Sequence, residues 1–230
     1  MNHPRFTHYF CFLLPALFLT GCVDLTGRPP TQFTPTRSGT APGFARAGHV
    51  YCMLGWLGIW SRSMDVVAQR VNSELDVHAI SVSNPEWRKS AAYVEREWKA
   101  GRWSGPLVLV GHSIGCDDQI RVAKLLNAKG IPIDLMILLE ANAPPAIPPN
   151  VRRCVNIYKS KPVLDAVPVF RGAKVHASDP GRTRVENIDL RHTNVGFDTG
   201  SLNHFNIAKN KQIQDMVLAE IAKTCPRKSH

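Results

Sequence analysis

The sequence lacks the short motifs by which small domains hold metal ions or nucleic acids. It contains no Cys-x-x-Cys or His-Glu-x-x-His pattern, so neither a metal nor another cofactor is expected. It contains no helix-turn-helix, zinc-finger or RNA-binding signature. The formal net charge is +10, but the lysines and arginines are scattered along the chain. This pattern predicts a solvated basic surface and no nucleic-acid partner.

Strong charge and low complexity are also missing from most of the chain. Apolar residues make up 44% and charged residues only 20%, which fits a globular enzyme and excludes a wholly disordered chain. The length of 230 residues suits one α/β domain of ordinary size. The oligomeric state stays open.

The N-terminus has no apolar run long enough to cross a bilayer as a mature helix. The run Tyr9–Leu19 follows the positive Arg5 and ends in Leu19-Thr20-Gly21-Cys22. This ending resembles a bacterial lipobox, in which the cysteine is lipidated and becomes the mature N-terminus. An ordinary secretory signal and an uncleaved anchor are the alternatives.

The lipobox resemblance predicts the organisation of the whole chain. Residues 1–21 are a lipoprotein signal peptide, Cys22 carries the lipid, and the stretch 22–45, rich in Pro, Thr, Gly and Ser, is a flexible tether. The globular domain occupies residues 46–230. The membrane is then a partner through the N-terminal lipid, and the expected location is the cell envelope, at the outer membrane or the periplasmic face of the inner membrane.

Four cysteines remain in the domain, in a compartment that permits disulfides. They are Cys52, Cys116, Cys154 and Cys225. Cys154 and Cys225 form a plausible bridge between a late strand and the terminal helix, but four cysteines allow three pairings and the choice stays open.

Short apolar strands alternate with amphipathic helices through the domain. The predicted strands are Val50–Leu54, Val77–Val82, Leu107–Val110, Ile133–Leu139, Val151–Tyr158 and Arg184–Leu190. The predicted helices are Met64–Val71, Trp87–Trp98, Cys116–Ala128 and a terminal one over roughly residues 205–223. Alternation of this kind predicts a three-layer α/β/α sandwich with a mostly parallel sheet, in which ligands bind at the carboxyl ends of the strands.

The strongest functional signal is Gly111-His112-Ser113-Ile114-Gly115, which directly follows the apolar run Pro106–Val110 and precedes a helix. A serine hydroxyl is a weak nucleophile and must be exposed at a strand end where a histidine can reach it. The flanking glycines let the strand and the helix approach each other closely. Ser113 is therefore the candidate nucleophile.

Three segments occur along the chain in the order found in α/β-hydrolases. They are the loop Gly55-Trp56-Leu57-Gly58, this elbow and the tripeptide Asn203-His204-Phe205. The domain resembles a compact lipase or esterase of that superfamily, without a cap domain. The resemblance implies a serine hydrolase that cleaves carboxylic esters through an acyl-enzyme on Ser113. Its substrate would be a small ester, which could be lipid-like. The alternatives are an inactive envelope lipoprotein of the same fold and an acyltransferase or thioesterase that uses the same serine.

The resemblance implies a histidine base after the elbow, for which His176, His192, His204 and His230 qualify by order. His204 is preferred because it lies just before the terminal helix, and His192 is the reserve.

The acid is chosen from three carboxylates. Glu140 is preferred because it ends an otherwise apolar strand, Asp165 is the alternative acid after the next strand, and Asp189 is the third candidate.

The oxyanion hole needs two backbone N–H donors. The family resemblance assigns them to Ile114, which follows the nucleophile, and to Trp56 in the loop after the first strand. This loop lacks the His-Gly pair that is common in the family. Trp56 and Trp60 are also candidates to line an acyl pocket.

Overall fold

A computed structural model describes residues 29–33, 43–55, 62–103, 105–160 and 172–228 of the chain. The described residues form six strands: β1 (His49–Met53), β2 (His78–Val82), β3 (Leu107–His112), β4 (Ile133–Leu139), β5 (Val151–Tyr158) and β6 (Arg184–Asp189). They also form four α-helices: α1 (Ser63–Arg70), α2 (Trp87–Lys99), α3 (Ile114–Asn127) and α4 (Lys211–Thr224). A π-helical turn at Val71–Leu75 and 3₁₀ turns at Asn84–Glu86 and Ile207–Lys209 complete the regular structure.

The six strands form one sheet in the order β2-β1-β3-β4-β5-β6, and every neighbouring pair is parallel. The prediction of a mostly parallel sheet is confirmed, and in the described residues the sheet is parallel throughout. β3 lies between β1 and β4, and all six of its residues are buried. Its continuous apolar sequence follows from this position, because both faces of a central parallel strand are covered by helices.

Two hydrophobic cores lie on opposite faces of the sheet and account for the three layers. On one face, α1 and α4 contribute Val67 and Val217 to a core that includes Val110 of β3. On the other face, α2 and α3 bury residues such as Val94 and Ile120 against the sheet. Full burial of an aliphatic side chain of this size contributes about 1.5–3 kcal/mol. The predicted α/β/α sandwich, the arrangement of an α/β-hydrolase fold, is confirmed, and the described residues between the strands contain no inserted helical domain.

The terminal helix begins later than its apolar pattern predicts. α4 starts at Lys211, whereas the periodicity indicated a start near residue 205. Asn210 is the N-cap, and its side-chain oxygen accepts a hydrogen bond from the N–H of Ile213 at 3.0 Å. Residues 207–209 form a 3₁₀ turn, so the chain just before α4 can follow a path that a continuous helix would not allow.

The suggested Cys154–Cys225 disulfide is wrong. All four cysteines of the domain are buried and free. Cys154 belongs to the core beneath α2 and α3, whereas Cys225 belongs to the core beneath α1 and α4. A disulfide requires Cα atoms within about 7 Å of each other, and the sheet separates these two thiols.

The N-terminal stretch is described only in part. Residues 29–33, inside the predicted tether 22–45, lie against the domain, where Phe33 packs onto the core of α2 and α3. The predicted signal peptide and Cys22 lie outside the described residues. Within the described ranges, no helix has both the length and the apolar character needed to cross a membrane.

Candidate active site

Ser113 occupies the tip of a sharp turn between β3 and α3. Its backbone has φ 57° and ψ −129°, a conformation that side-chain-bearing residues rarely adopt. The N–H of Ser113 donates a hydrogen bond to the carbonyl oxygen of Leu139 at 2.9 Å, which ties the turn to the end of β4. The surrounding structure thus holds the serine in the strained geometry of a nucleophile elbow.

The two glycines of the elbow are required by close backbone contacts. A Cβ atom on Gly115 would lie 2.5 Å from the carbonyl oxygen of Leu54 and 2.7 Å from that of Met53. A Cβ atom on Gly111 would lie 2.7 Å from the carbonyl oxygen of Gly115. Because these neighbours are backbone atoms, any larger residue would force the turn away from β1 and α3.

The structure brings Ser113, His204 and Glu140 together. Ser113 Oγ lies 2.7 Å from His204 Nε2, and His204 Nδ1 lies 3.3 Å from Glu140 Oε2. All three residues are buried, Glu140 completely. A carboxylate can only accept, so the proton of the imidazole sits on Nδ1 and leaves Nε2 free to accept the serine proton. This arrangement can generate a nucleophilic alkoxide at Ser113.

Glu140 reaches the histidine because the chain turns sharply where β4 ends. Its φ is 56°, in the left-handed region. One carboxylate oxygen, Oε1, accepts a hydrogen bond from the backbone N–H of Lys159 at 2.7 Å, and the other faces His204. A Cβ atom on Gly172 would lie 2.9 Å from the Glu140 carboxyl carbon, so this glycine makes room for the Glu140 side chain.

Lys159 also holds the loop that carries the histidine. Its ammonium group donates to the carbonyl oxygens of Thr199, Gly200 and Leu202 at 2.6, 2.8 and 3.1 Å. Lys159 therefore contacts Glu140 through its backbone and the loop that leads to His204 through its side chain. Sequence reasoning missed this residue, because a lysine after a strand carries no local signal of such a role.

His112 fixes the backbone of His204 from the other side. Its Nε2 lies 2.9 Å from the carbonyl oxygen of His204, and since a carbonyl can only accept, Nε2 carries the proton. Burial, reinforced by the nearby His204, lowers the pKa of His112 to about 4, so the ring is neutral at pH 7. No pattern in the sequence predicts this contact, in which His112 acts as a hydrogen-bond donor to the backbone.

Asp117 anchors the turn that follows Glu140. Its Oδ2 accepts a hydrogen bond from the backbone N–H of Ala143 at 3.0 Å. Burial raises the pKa of Asp117 to about 6, and the hydrogen bond from Ala143 opposes that rise. The side chain lies in the first turn of α3, where the helix dipole favours negative charge.

The remaining candidates do not join this cluster or cannot be placed. Asp189 Oδ1 accepts from the backbone N–H groups of Ser160 and Arg191 at 3.1 and 3.0 Å, and the reserve base His192 is exposed. His176 is exposed as well. The predictions for Trp56, Trp60, Asp165, His230 and Cys22 concern positions outside the described residues.

Of the two predicted oxyanion-hole donors, Ile114 lies within the described residues and Trp56 does not. Ile114 is the first residue of that helix, so its N–H is one of the first-turn donors that have no acceptor within the helix. It directly follows Ser113, which places the donor beside the serine. Within the described part of the chain, no group of three or more His, Cys, Asp or Glu side chains could hold a metal ion.

No protein-family model matches the chain, and no curated protein matches it. One solved structure similar to the chain is the RedJ thioesterase of the prodiginine pathway of Streptomyces coelicolor, with 11% identity and a TM-score of 0.46. The match covers 97% of this chain and 98% of that chain. The type II thioesterase BorB of the borrelidin cluster has 12% identity, 86% and 99% coverage, and a TM-score of 0.47.

A hyperthermophilic esterase from the archaeon Pyrobaculum calidifontis is similar at 11% identity, with 79% of this chain and 78% of that chain covered and a TM-score of 0.48. At such low identities and TM-scores, these likenesses say nothing about substrate. The fold assignment depends on the chain's own sheet order and helix layers.

Proposed function

We propose that this protein is a serine hydrolase that cleaves carboxylic esters through an acyl-enzyme on Ser113. The observation that supports the proposal is the continuous hydrogen-bonded chain from Ser113 Oγ through His204 to Glu140. A serine within 2.7 Å of a buried imidazole that is itself aligned by a carboxylate is the arrangement that activates a hydroxyl for acyl transfer.

The reaction proceeds in two halves. Ser113 Oγ attacks the carbonyl carbon of the ester while His204 Nε2 takes the serine proton, and the same proton then goes to the departing alkoxide. Glu140 stabilises the imidazolium that forms between these transfers. In the second half, His204 removes a proton from water, the resulting hydroxide attacks the acyl carbon, and the carboxylic acid leaves as Ser113 recovers its proton.

The negative charge on the carbonyl oxygen needs donors that are already in place. The N–H of Ile114 supplies one, and the N–H of Trp56 is proposed as the second. The same acyl-enzyme forms from a thioester, and an acceptor other than water would make the protein an acyltransferase. An inactive scaffold is disfavoured, because such a protein has no need for a strained serine paired with a buried histidine.

We further propose that Cys22 is lipidated and holds the domain at the cell envelope. The support is the Leu19-Thr20-Gly21-Cys22 ending of the apolar N-terminal run. Cys22→Ala is expected to abolish incorporation of labelled palmitate and to release the protein into the soluble fraction. Unchanged fractionation and labelling would refute the anchor without affecting the proposed chemistry.

Labelling with a fluorophosphonate probe tests the activity directly. The wild type is expected to be labelled and to hydrolyse p-nitrophenyl esters, whereas Ser113→Ala is expected to lose both properties. Ser73→Ala is the matched control, because Ser73 is an exposed serine in the π-helical turn after α1. Labelling that persists in Ser113→Ala, or an unlabelled wild type that is folded, contradicts the proposal.

A further inference from the structure

Residues 29–33 form an attachment between the N-terminal stretch and the domain. The backbone N–H of Thr31 donates to Glu86 Oε2 at 3.0 Å, and this carboxylate is buried. The ring of Phe33 lies with its centroid 5.2 Å from that of Tyr93 in α2. Two residues of this short segment are thus held by contacts of different kinds, one polar and one apolar.

The polar contact of the attachment lies at the edge of the sheet where the strands end, which also carries the candidate active site and is called the catalytic edge below. Glu86 follows the last residue of β2, Val82, by four positions, and all strands end at this edge because they are parallel. β2 is two strands from β3, a lateral distance of about 10 Å. Asn84, next to the attachment, donates a hydrogen bond to Asp118 of α3, the helix that follows Ser113.

The distance that the preceding residues can span limits how the domain sits on a membrane. Cys22 and Pro29 are seven residues apart, and seven residues reach at most about 25 Å in any conformation. A domain of roughly 180 residues is about 40 Å across. Seven extended residues therefore let the catalytic edge meet the surface in which a lipid on Cys22 is embedded, and their reach falls short of the width of the domain.

Apolar side chains at this edge suit contact with lipid. Phe205, the neighbour of the proposed base, is 38% exposed, and Val66 in the first turn of α1 is 44% exposed. The net charge of +10 adds attraction to anionic headgroups.

We propose that segment 29–33 holds the catalytic edge against the membrane that carries Cys22, and that the substrate is an acyl ester presented by an amphiphile in that lipid surface. The inference rests on the proposed hydrolase activity and on the proposed lipidation of Cys22. It adds an orientation and a substrate class that neither of them requires.

Fluorescence quenching tests the orientation without reference to activity. The full-length lipidated protein is placed in vesicles of phosphatidylethanolamine and phosphatidylglycerol, with a fluorophore on Val66→Cys or on Lys129→Cys. Val66 lies at the catalytic edge, and Lys129, which is exposed, follows α3 at the opposite edge. Lipids with a spin-labelled headgroup are expected to quench the label at position 66 and not the label at position 129. Equal quenching, or stronger quenching at 129, overturns the proposal.

Hydrolysis of two esters tests the substrate class. The double variant Phe33→Ser with Glu86→Ala detaches the segment, and Phe44→Ser is the control because Phe44 packs on His78, which takes part in neither of the two contacts that define the attachment. The rate on vesicle-embedded 4-methylumbelliferyl palmitate relative to soluble 4-methylumbelliferyl acetate is expected to fall about fivefold or more in the double variant, because the effective concentration of the site at the surface drops. The control is expected to keep the wild-type ratio.

The two experiments separate the possible failures. A double variant with an unchanged ratio refutes the role of the segment. A wild type that hydrolyses neither ester refutes the proposed function, and the quenching then still decides the orientation.

Discussion

Lys159→Met separates the two contacts that Lys159 makes in the candidate active site. The backbone N–H that binds Glu140 remains, while the ammonium group that binds three carbonyl oxygens of the loop 199–202 is removed. Methionine keeps most of the length and apolar volume of the side chain. The acid therefore stays in place, and the loop that leads to His204 loses its charged donor.

The expected magnitude follows from these contacts. A hydrogen bond from a charged donor contributes about 1.5–3 kcal/mol when buried, but three acceptors share one ammonium group here and water competes for it. We expect the free energy of unfolding to fall by about 2 kcal/mol. The larger effect is on catalysis, because a displacement of about 1 Å at a reacting group costs on the order of 100-fold in rate.

The assay is steady-state hydrolysis of a soluble p-nitrophenyl ester together with the rate of fluorophosphonate labelling. For Lys159→Met, kcat and the labelling rate are expected to fall in parallel by about 30- to 100-fold, with KM nearly unchanged. Lys159→Arg, which keeps the cation, is expected to recover part of the loss. Lys174→Met is the control, because Lys174 is exposed near the same strand end. A kcat within about twofold of wild type in Lys159→Met would show that this clamp does not position the base.

Three further predictions concern the acid and its surroundings. Glu140→Gln is expected to lower kcat by about 10³–10⁴-fold, because the imidazolium loses its charged partner, whereas Asp165→Asn is expected to keep full activity. The reverse result would assign the role of the acid to Asp165. Gly172→Ala is expected to lower kcat by at least about tenfold with KM unchanged, because its methyl group collides with the Glu140 carboxyl group, and wild-type kcat would show that the acid can move. Asp117 has a raised pKa of about 6 in the folded protein, so it binds protons that the unfolded chain releases and lowers stability as pH rises from about 4 to 6. In Asp117→Asn, the decline of the free energy of unfolding with pH is expected to be smaller by about 2–3 kcal/mol. Urea unfolding at a series of pH values measures this, and parallel pH curves for the two proteins would contradict it.

Local patterns predicted the regular structure of the sheet well. The strands predicted at Ile133–Leu139 and Val151–Tyr158 have in the structure the bounds that the sequence indicates. In each of these strands most positions are apolar and the last five residues are buried, which fits an interior strand of a parallel sheet that is covered on both faces. Helix ends are less well predicted, because a polar cap such as Asn210 overrides an apolar periodicity that continues on either side of it.

Contacts between distant parts of the chain were beyond prediction. The thiols of Cys154 and Cys225 lie on opposite sides of the sheet, and nothing in their spacing reveals this. The attachment of Thr31 to Glu86 joins residues 55 positions apart through a backbone donor, which any residue other than proline could supply. Such pairings depend on how whole helices and strands pack against each other, and a local sequence pattern does not predict that packing.

The sequence by itself determined that a serine stands at the end of a central strand, because the apolar run, the two glycines and the following helix are all local features of one continuous stretch. It also narrowed the base to a few histidines and the acid to three carboxylates. Only the tertiary structure shows which of them meet, because it brings His204 to Ser113 across 91 positions and to Glu140 across 64. The physical reason is that a hydrogen bond requires two side chains to meet within about 3 Å, and the packing of the whole sheet sets that distance.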